Sequence, residues 1–439
     1  MRWFLKTAKP RRVCVVGCGK LGLPLVAVLA EAGHSVIGFD LNHSLIQELS
    51  NGHVPWFEES LQELVQDNQD RIQFTNDLSE ASPNVEFFLV IVPSPSDNNG
   101  IFESRFVEDA INLIIEGNYQ NSQTPVYIVI VSTLMPGSTD DIWQRTVRKF
   151  PSAANRYKIV YSPEFIALGS VIRDMKNPDL VLIGTHDSEA GASYQTLVSS
   201  YVETRPTFAH LLPKEAEIAK IAVNAFVTTK ISFANFISEL CESSGGASAS
   251  RVLAGIGADS RIGRSYLRPG APFGGPCFPR DNIALSRFSR SIGVDALIAD
   301  STQSVNERQI TRISKFIEKF STYKKVLIVG VAYKPGTAVT DESPSIRLSE
   351  NLDDRFSVSL LDDYIQNPII GLNHQLISRE DISSEPLCAV FMVPDSRYVS
   401  LLAALHKDSI IIDLWGNLKS HLSGDSHQYY CLGDAIEGR

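Results

Sequence analysis

The chain lacks any pair of cysteines at metal or redox spacing. Its six cysteines (14, 18, 241, 277, 388 and 431) are scattered through 439 residues. There is no CxxC and no histidine cluster beside them, which argues against a disulfide framework or a zinc site and fits a reducing cytoplasm. No metal is expected. Positive charge is also in short supply: the formal net charge is −10. That speaks against nucleic acid as a partner, and an anionic ligand would need a local cationic site. Long hydrophobic runs are missing too. The basic segment 1–12 is not followed by an apolar stretch with a small-residue cleavage site, and no run stands out as long enough to cross a bilayer. Neither export nor a membrane is expected. No low-complexity tract is evident. What remains is an ordinary soluble composition, 44% hydrophobic and 21% charged. The chain is too long for one ordinary domain and large enough to bury a core without covalent help.

What is present first is alternation. Short runs rich in Val, Ile, Leu and Phe (Val13–Val16, Ser35–Phe39, Phe87–Val92, Val126–Val131, Lys158–Tyr161, Leu180–Ile183) alternate with helical patterns. That pattern predicts a parallel sheet covered by helices on both faces. From Lys214 to about Cys241 apolar residues recur at helical spacing without Gly or Pro, which predicts a long helix. A second alternating region opens at Lys324 with Val326–Val329 and continues through Val358–Leu361, Ala389–Val393 and Ile410–Asp413. Each α/β region begins V-x-x-V-G after basic residues, a loose internal duplication. The expected division is 1–205, 206–310 and 311–439.

The first strand runs into Gly17-Cys18-Gly19-Lys20-Leu21-Gly22 and then an apolar periodic run. This is a G-x-G-x-x-G turn between strand and helix, where bare backbone and a helix N-terminus receive a pyrophosphate. Strand Ser35–Phe39 ends in Asp40, at the spacing at which a carboxylate binds a ribose 2′-hydroxyl. Leu41 and Asn42 follow in place of an arginine for a 2′-phosphate, so NAD is favoured over NADP. Gly17, Gly19, Lys20, Leu21, Gly22 and Asp40 are therefore cofactor candidates in a Rossmann-like domain. Pro93 and Ser94, and Ser132 and Thr133, follow two buried strands at the same sheet edge. They are either ordinary turn residues or further contacts to the ligand.

The loop Phe273-Gly274-Gly275-Pro276-Cys277-Phe278-Pro279-Arg280-Asp281 frames one thiol between torsionally permissive glycines and stiff prolines. Arg280 supplies a charge that favours the thiolate, and Asp281 a carboxylate for proton handling. Lys220 and Asn224, four apart on one helix face, offer an ammonium and an amide for a developing oxyanion. The alternative for that pair is a solvated helix face.

Together these segments resemble the UDP-glucose/GDP-mannose dehydrogenase family over nearly the whole chain. The family's ordered motifs are matched by Gly17–Gly22, Ser132–Gly137, Ser162-Pro163-Glu164-Phe165-Ile166, Glu217–Asn224, Gly274–Asp281 and Gly330–Thr337. The resemblance implies an NAD-dependent four-electron oxidation of the C6 alcohol of a nucleotide sugar, UDP-glucose or GDP-mannose in type, to a uronic acid. It implies Cys277 as the residue that forms a thiohemiacetal and then a thioester. Asp281 and Lys220 would manage the proton, Glu164 would help water hydrolyse the thioester, Lys220 and Asn224 would hold the oxyanion, and Thr133 would order water or cofactor. Glu164, Phe165, Ile166, Lys220, Asn224, Arg261, Phe273, Gly274 and Lys334 are the implied substrate contacts. The long helix is similar to the family's dimerisation element, which implies a homodimer. The implied fold is an N-terminal Rossmann-like NAD domain, a small helical domain on the long helix, and a C-terminal Rossmann-like α/β domain.

Several positions depart from the family's pattern. Pro276 stands for Ser and Arg280 for Lys, while Asp341 and Trp415 stand where arginines are expected. Neither of the last two replaces a bidentate phosphate contact, so a different or unusual grip on the nucleotide is expected. Two other readings are a single two-electron dehydrogenase of the hydroxyacid type and a silent nucleotide-sugar binder.

Overall fold

Strands buried on both faces set the architecture. The computed structural model describes residues 9–434 except 82–83, 118–124, 353, 366–368, 370–371, 373 and 423–426; residues 1–8 of the basic leader thus lie outside it. The chain divides into two compact units, Met1–Ile221 and Ala222–Arg439.

The first unit is an eight-stranded sheet of β1 (Arg12–Val16), β2 (Ser35–Phe39), β3 (Ile72–Thr75), β4 (Phe87–Val90), β5 (Val126–Ile130), β6 (Tyr157–Tyr161), β7 (Leu180–Gly184) and β8 (Thr207–Leu211), in the order β3-β2-β1-β4-β5-β6-β7-β8. Side chains alternate across it: Val13 and Val15 enter one core, Cys14 and Val16 the other, as the period of two requires. The six strands from β3 to β6 form a parallel block. The expectation of a wholly parallel sheet fails at β7, which meets β6 antiparallel through the single pair Tyr161 and Gly184. Strand β8 then runs parallel to β7. The link from β6 to β7 carries only a six-residue helix, Val171–Lys176, too short for the usual crossover between parallel neighbours.

The second unit repeats the plan. Strands β9 (Lys325–Val329), β10 (Ser357–Leu361), β11 (Gln375–Leu376), β12 (Cys388–Phe391), β13 (Ile410–Asp413) and β14 (Gln428–Cys431) follow the order β11-β10-β9-β12-β13-β14. It is the same 3-2-1-4-5-6 winding as the first six strands, all parallel here. Before the sheet come the helices Ala249–Gly257, Phe278–Ser291 and Leu297–Phe320. Cys14, Cys18, Cys241, Cys388 and Cys431 are buried small hydrophobes, and loss of solvent pushes the Cys388 thiol up to about 12.

The long helix spans Pro213–Ser244, 32 residues. In length and composition it reaches what a membrane span needs, contrary to the expectation that no segment would. Several of its buried positions are polar, however. Glu217, Thr228, Ser232, Asn235 and Ser238 are each under 5% exposed, and they are bonded inside the protein, as Ser232 Oγ is to the Thr302 carbonyl at 2.9 Å. In a bilayer such groups would be costly.

Candidate active site

Strand β1 delivers the chain into the 17–22 turn, and the helix Gly22–Glu31 starts at once. Gly22 is a steric necessity, since a Cβ there would fall 1.8 Å from the Gly17 carbonyl oxygen. Gly19 faces open space, so the turn presents bare backbone outward, flanked by exposed Lys20 and half-buried Leu21. Asp40 shapes this turn from the end of β2: Oδ2 accepts from the Cys18 N–H at 2.8 Å and Oδ1 from the Asn42 N–H at 2.9 Å. A carboxylate has lone pairs left beyond these two.

The loops after β4, β5 and β6 are tied together. Ser132 Oγ donates to the Val92 carbonyl at 2.6 Å and accepts from the Val92 N–H at 3.0 Å, so its hydroxyl is engaged with backbone. Pro93 is exposed, Ser94 buried and Thr133 half-buried. The first turns of the long helix then anchor two of these loops. Glu217, fully buried, accepts from the Gly137 and Thr139 N–H groups and from Thr139 Oγ at 2.6 Å. One turn on, Lys220 donates to the Glu164 carbonyl at 2.6 Å, with its ammonium 4.4 Å from the Phe165 ring centre. Burial pushes the Glu164 carboxyl up to about 7, against the pull of the Lys220 charge. Ile166 packs on the neighbouring core.

In the second unit Cys277 takes the N-cap position of the helix Phe278–Ser291, with Pro279 in its first turn. It is exposed while the other five cysteines are buried, and a helix N-terminus favours an anion there. Asp281, 1% exposed, accepts from Asn224 Nδ2 at 2.6 Å and from Arg280 Nε at 3.3 Å. Ahead of the thiol, buried Phe273 is gripped by Asn306, which accepts its N–H at 2.7 Å and donates to its carbonyl at 3.0 Å. Gly274 approaches the Glu342 carbonyl so closely that a Cβ would fall 2.2 Å from it. The Gly275 N–H donates to the Asp341 carbonyl at 3.1 Å. The cysteine loop is thus seated on the long turn that follows β9, where Lys334 lies half-buried.

Two family profiles match the chain that carries this geometry. The UDP-glucose/GDP-mannose dehydrogenase family, NAD binding domain, matches residues 11–202, and the same family's central domain matches 214–308. The chain belongs to the UDP-glucose/GDP-mannose dehydrogenase family. UDP-glucose 6-dehydrogenase TuaD of Bacillus subtilis is 33% identical over 342 residues, covering 76% of this chain and 72% of that protein. A UDP-glucose dehydrogenase from Pyrobaculum islandicum superposes with a TM-score of 0.85 at 25% identity, covering 98% of this chain and 99% of that one. A UDP-D-ManNAc dehydrogenase from Pyrococcus horikoshii shares the fold, with a TM-score of 0.79 at 19% identity over 96% and 99% of the two chains.

As a member of this family the protein is an NAD-dependent nucleotide sugar dehydrogenase. The 17–22 turn fits that cofactor on steric grounds: the Cβ-free face at Gly19 is open, and the Gly22–Glu31 helix has no side-chain cap on its N-terminus. The departures have structural counterparts. The Trp415 ring backs Gly270 at 2.7 Å from its Cβ position, and Nε1 donates to the Met392 carbonyl at 2.8 Å. Arg268 reaches across to the Trp415 carbonyl and Asn417 Oδ1. Arg261 is clasped by Asp259 through Nε at 3.0 Å and Nη2 at 2.7 Å. Asp341 is exposed and serves the cysteine loop through its carbonyl. Glu217 opens the matched Glu217–Asn224 segment, but its spacing from Lys220 only hints at its hold on the Gly137 and Thr139 N–H groups; Asn306 and Arg268 act through chain-distant partners that local spacing does not reveal.

Proposed function

We propose that this enzyme oxidises the C6 primary alcohol of a UDP-glucose-like nucleotide sugar to the uronic acid, in two steps on Cys277. The observation that carries this reading is the single exposed thiol at a helix N-terminus, with Asp281 and Asn224 bonded one helical turn away. Gly17, Gly19, Lys20, Leu21, Gly22 and Asp40 would hold NAD, which would supply the hydride acceptor for both oxidations. In the first, the alcohol would lose its hydride to the cofactor and its proton to the Asp281 carboxylate, with the Lys220 ammonium donating to the alcohol oxygen. The Cys277 thiolate adds to the resulting aldehyde to give a thiohemiacetal, whose oxyanion takes hydrogen bonds from Lys220 and Asn224. The second oxidation leaves a thioester. Glu164, with its carboxyl raised to about 7, takes a proton from water as that water cleaves the thioester and frees the thiol. Capture on sulfur keeps the reactive aldehyde from escaping between steps.

The test is the ratio of NADH formed to sugar consumed, across a panel of nucleotide sugars. A ratio of two with UDP-glucose is expected; a ratio of one, with aldehyde as product, would overturn the mechanism. The Trp415 substitution supports a second reading, the same chemistry on another nucleotide sugar such as GDP-mannose. Turnover of that compound in preference to UDP-glucose would establish it.

The same reading places the enzyme in the cytoplasm, where a reducing milieu preserves an exposed nucleophilic thiol, and makes it a homodimer. The long helix exposes Phe226 (67%), Phe233 (45%), Phe236 (42%) and Leu240 (48%) along one side, with Phe226, Phe233 and Leu240 at heptad spacing. An apolar stripe of this kind suits pairing with a second copy. Light scattering should give twice the chain mass, and a Phe226→Asp/Phe233→Asp variant should give one; a monomeric parent would end the proposal.

A further inference from the structure

The turn after β9 carries a side chain onto the cysteine loop that the mechanism above leaves unused. Tyr333 sits three residues beyond Gly330, and its N–H donates to the Val339 carbonyl at 3.0 Å, which closes the turn on itself. Its half-buried ring lies across Gly275, where a Cβ would meet Cδ2 at 2.4 Å and Cε2 at 2.6 Å. Gly275 has a φ of +83°, and Cys277 lies two residues further along. Burial pushes the Tyr333 phenol up to about 12, with negative charge at Cys277 and at Asp341 adding to the effect. A phenol that keeps its proton through the neutral range is a donor, and a donor beside an anionic sulfur stabilises the thiolate.

We propose that Tyr333 is a positioning residue for Cys277: its ring holds the Gly275 elbow in place and its hydroxyl donates toward the thiolate. The inference rests on the reading of Cys277 as nucleophile. The charged groups next to this thiol on its own helix are bonded to each other. Arg280 is bonded to Asp281, and Asp281 also to Asn224. A neutral donor held against the loop stabilises the thiolate without needing a counter-ion of its own.

The test uses the full-length enzyme and two variants. Tyr333→Phe keeps the ring and removes the donor, whereas Tyr333→Ala removes both. The rate of iodoacetamide labelling at Cys277, read by peptide mass across pH, reports the thiolate directly. With Tyr333→Phe the midpoint of that profile should rise by about one pH unit, so labelling at pH 7 slows about tenfold, while KM for the nucleotide sugar stays near its parent value. With Tyr333→Ala, kcat should fall about a hundredfold, the usual consequence of a reacting atom displaced by an ångström. Should the alanine variant not fold, Tyr333→Phe decides alone. Cys277→Ala is the control for the underlying reading: if it still forms the acid, the nucleophile assignment fails whatever Tyr333 does. If Cys277→Ala is dead while both Tyr333 variants label and turn over as the parent does, or only lose thermal stability, the role given to Tyr333 is wrong.

Discussion

The two sheets of this enzyme start from one frame and finish it differently. In each, the first strand is followed by a glycine with left-handed backbone, Gly17 at φ +103° and Gly330 at φ +85°. In each, an aspartate at the end of the second strand accepts the N–H groups of that turn. Asp40 takes Cys18, while Asp362 Oδ2 takes Val331 at 2.7 Å and Ala332 at 2.9 Å. They part beyond the glycine. After Gly17 the helix begins at Gly22, and no side chain caps its N-terminus. After Gly330 the helix waits until Pro344, and Ser343 caps it by accepting from the Ser345 and Ile346 N–H groups. An uncapped helix start leaves N–H groups for a pyrophosphate, whereas a capped one has none to give. The same winding is therefore open to a dinucleotide in the first sheet and closed by the protein's own groups in the second. The extra residues of the second turn become the seat of the cysteine loop.

The sharpest way to break this contrast is a pair of glycine replacements. Gly22→Ala places a methyl 1.8 Å from the Gly17 carbonyl, and Gly274→Ala places one 2.2 Å from the Glu342 carbonyl; both partners are backbone and cannot move aside. Gly22→Ala should raise KM for NAD at least about a hundredfold and leave the rate of Cys277 alkylation unchanged, a loss near 3 kcal/mol. Gly274→Ala should do the reverse, cutting kcat about a hundredfold with NAD binding intact by fluorescence titration. If Gly274→Ala weakened NAD as much as Gly22→Ala does, the division of labour between the turns would be wrong.

A smaller effect separates the carboxylates by pH. The Glu164 carboxyl lies at about 7 in the folded protein against an ordinary 4.5. The proton is thus held below about 7, and the basic form that the proposed hydrolysis needs appears above it. Turnover should climb about tenfold per pH unit on the acid side of 7 and then level; Glu164→Gln should abolish that limb. The same shift has a stability consequence of opposite sense. Because the folded pKa is raised, the carboxyl's contribution is present below 4.5 and lost as pH rises through 7. Denaturant titration of Glu164→Gln should show less loss over that window than the parent.

How far the sequence revealed all this divides along a physical line. Every interior strand of both sheets was legible, because a strand buried on two faces must be a continuous run of Val, Ile, Leu and Phe. The four that escaped, β3, β8, β11 and β14, are the four sheet edges. Their half-exposed patterns, such as Thr-Phe-Ala-His-Leu in β8, carry no such run. The site divides the same way. For Gly17 to Gly22, Asp40, Lys220 and Cys277 local spacing predicts the placement that the structure has, at a strand end, a turn or a helix face. Contacts across long separations are not predicted this way. Nothing local announces that the Ser132 hydroxyl would bond the Val92 backbone, and nothing near Trp415 in the chain announces that Arg268 would reach it.

The smallest expected effect tests the part of the frame that the two sheets share. Asp40→Asn and Asp362→Asn each replace a carboxylate oxygen that accepts turn N–H groups by an amide, which has one acceptor oxygen and a donor. At Asp362, 8% exposed, the loss of a charged acceptor with two or three N–H partners should cost about 1–3 kcal/mol of stability, a fall in Tm of several degrees, with KM for NAD unmoved. At Asp40 the turn is more exposed and loses less stability, but the carboxylate is also the proposed ribose contact. There KM for NAD should rise about tenfold, and discrimination against NADP should narrow as the negative charge facing a 2′-phosphate disappears. The two asparagines thus read the same substitution through different consequences, Tm in the closed turn and cofactor affinity in the open one. If Asp362→Asn altered cofactor affinity, or Asp40→Asn altered only Tm, then the capping aspartate would not distinguish a ligand site from a structural turn.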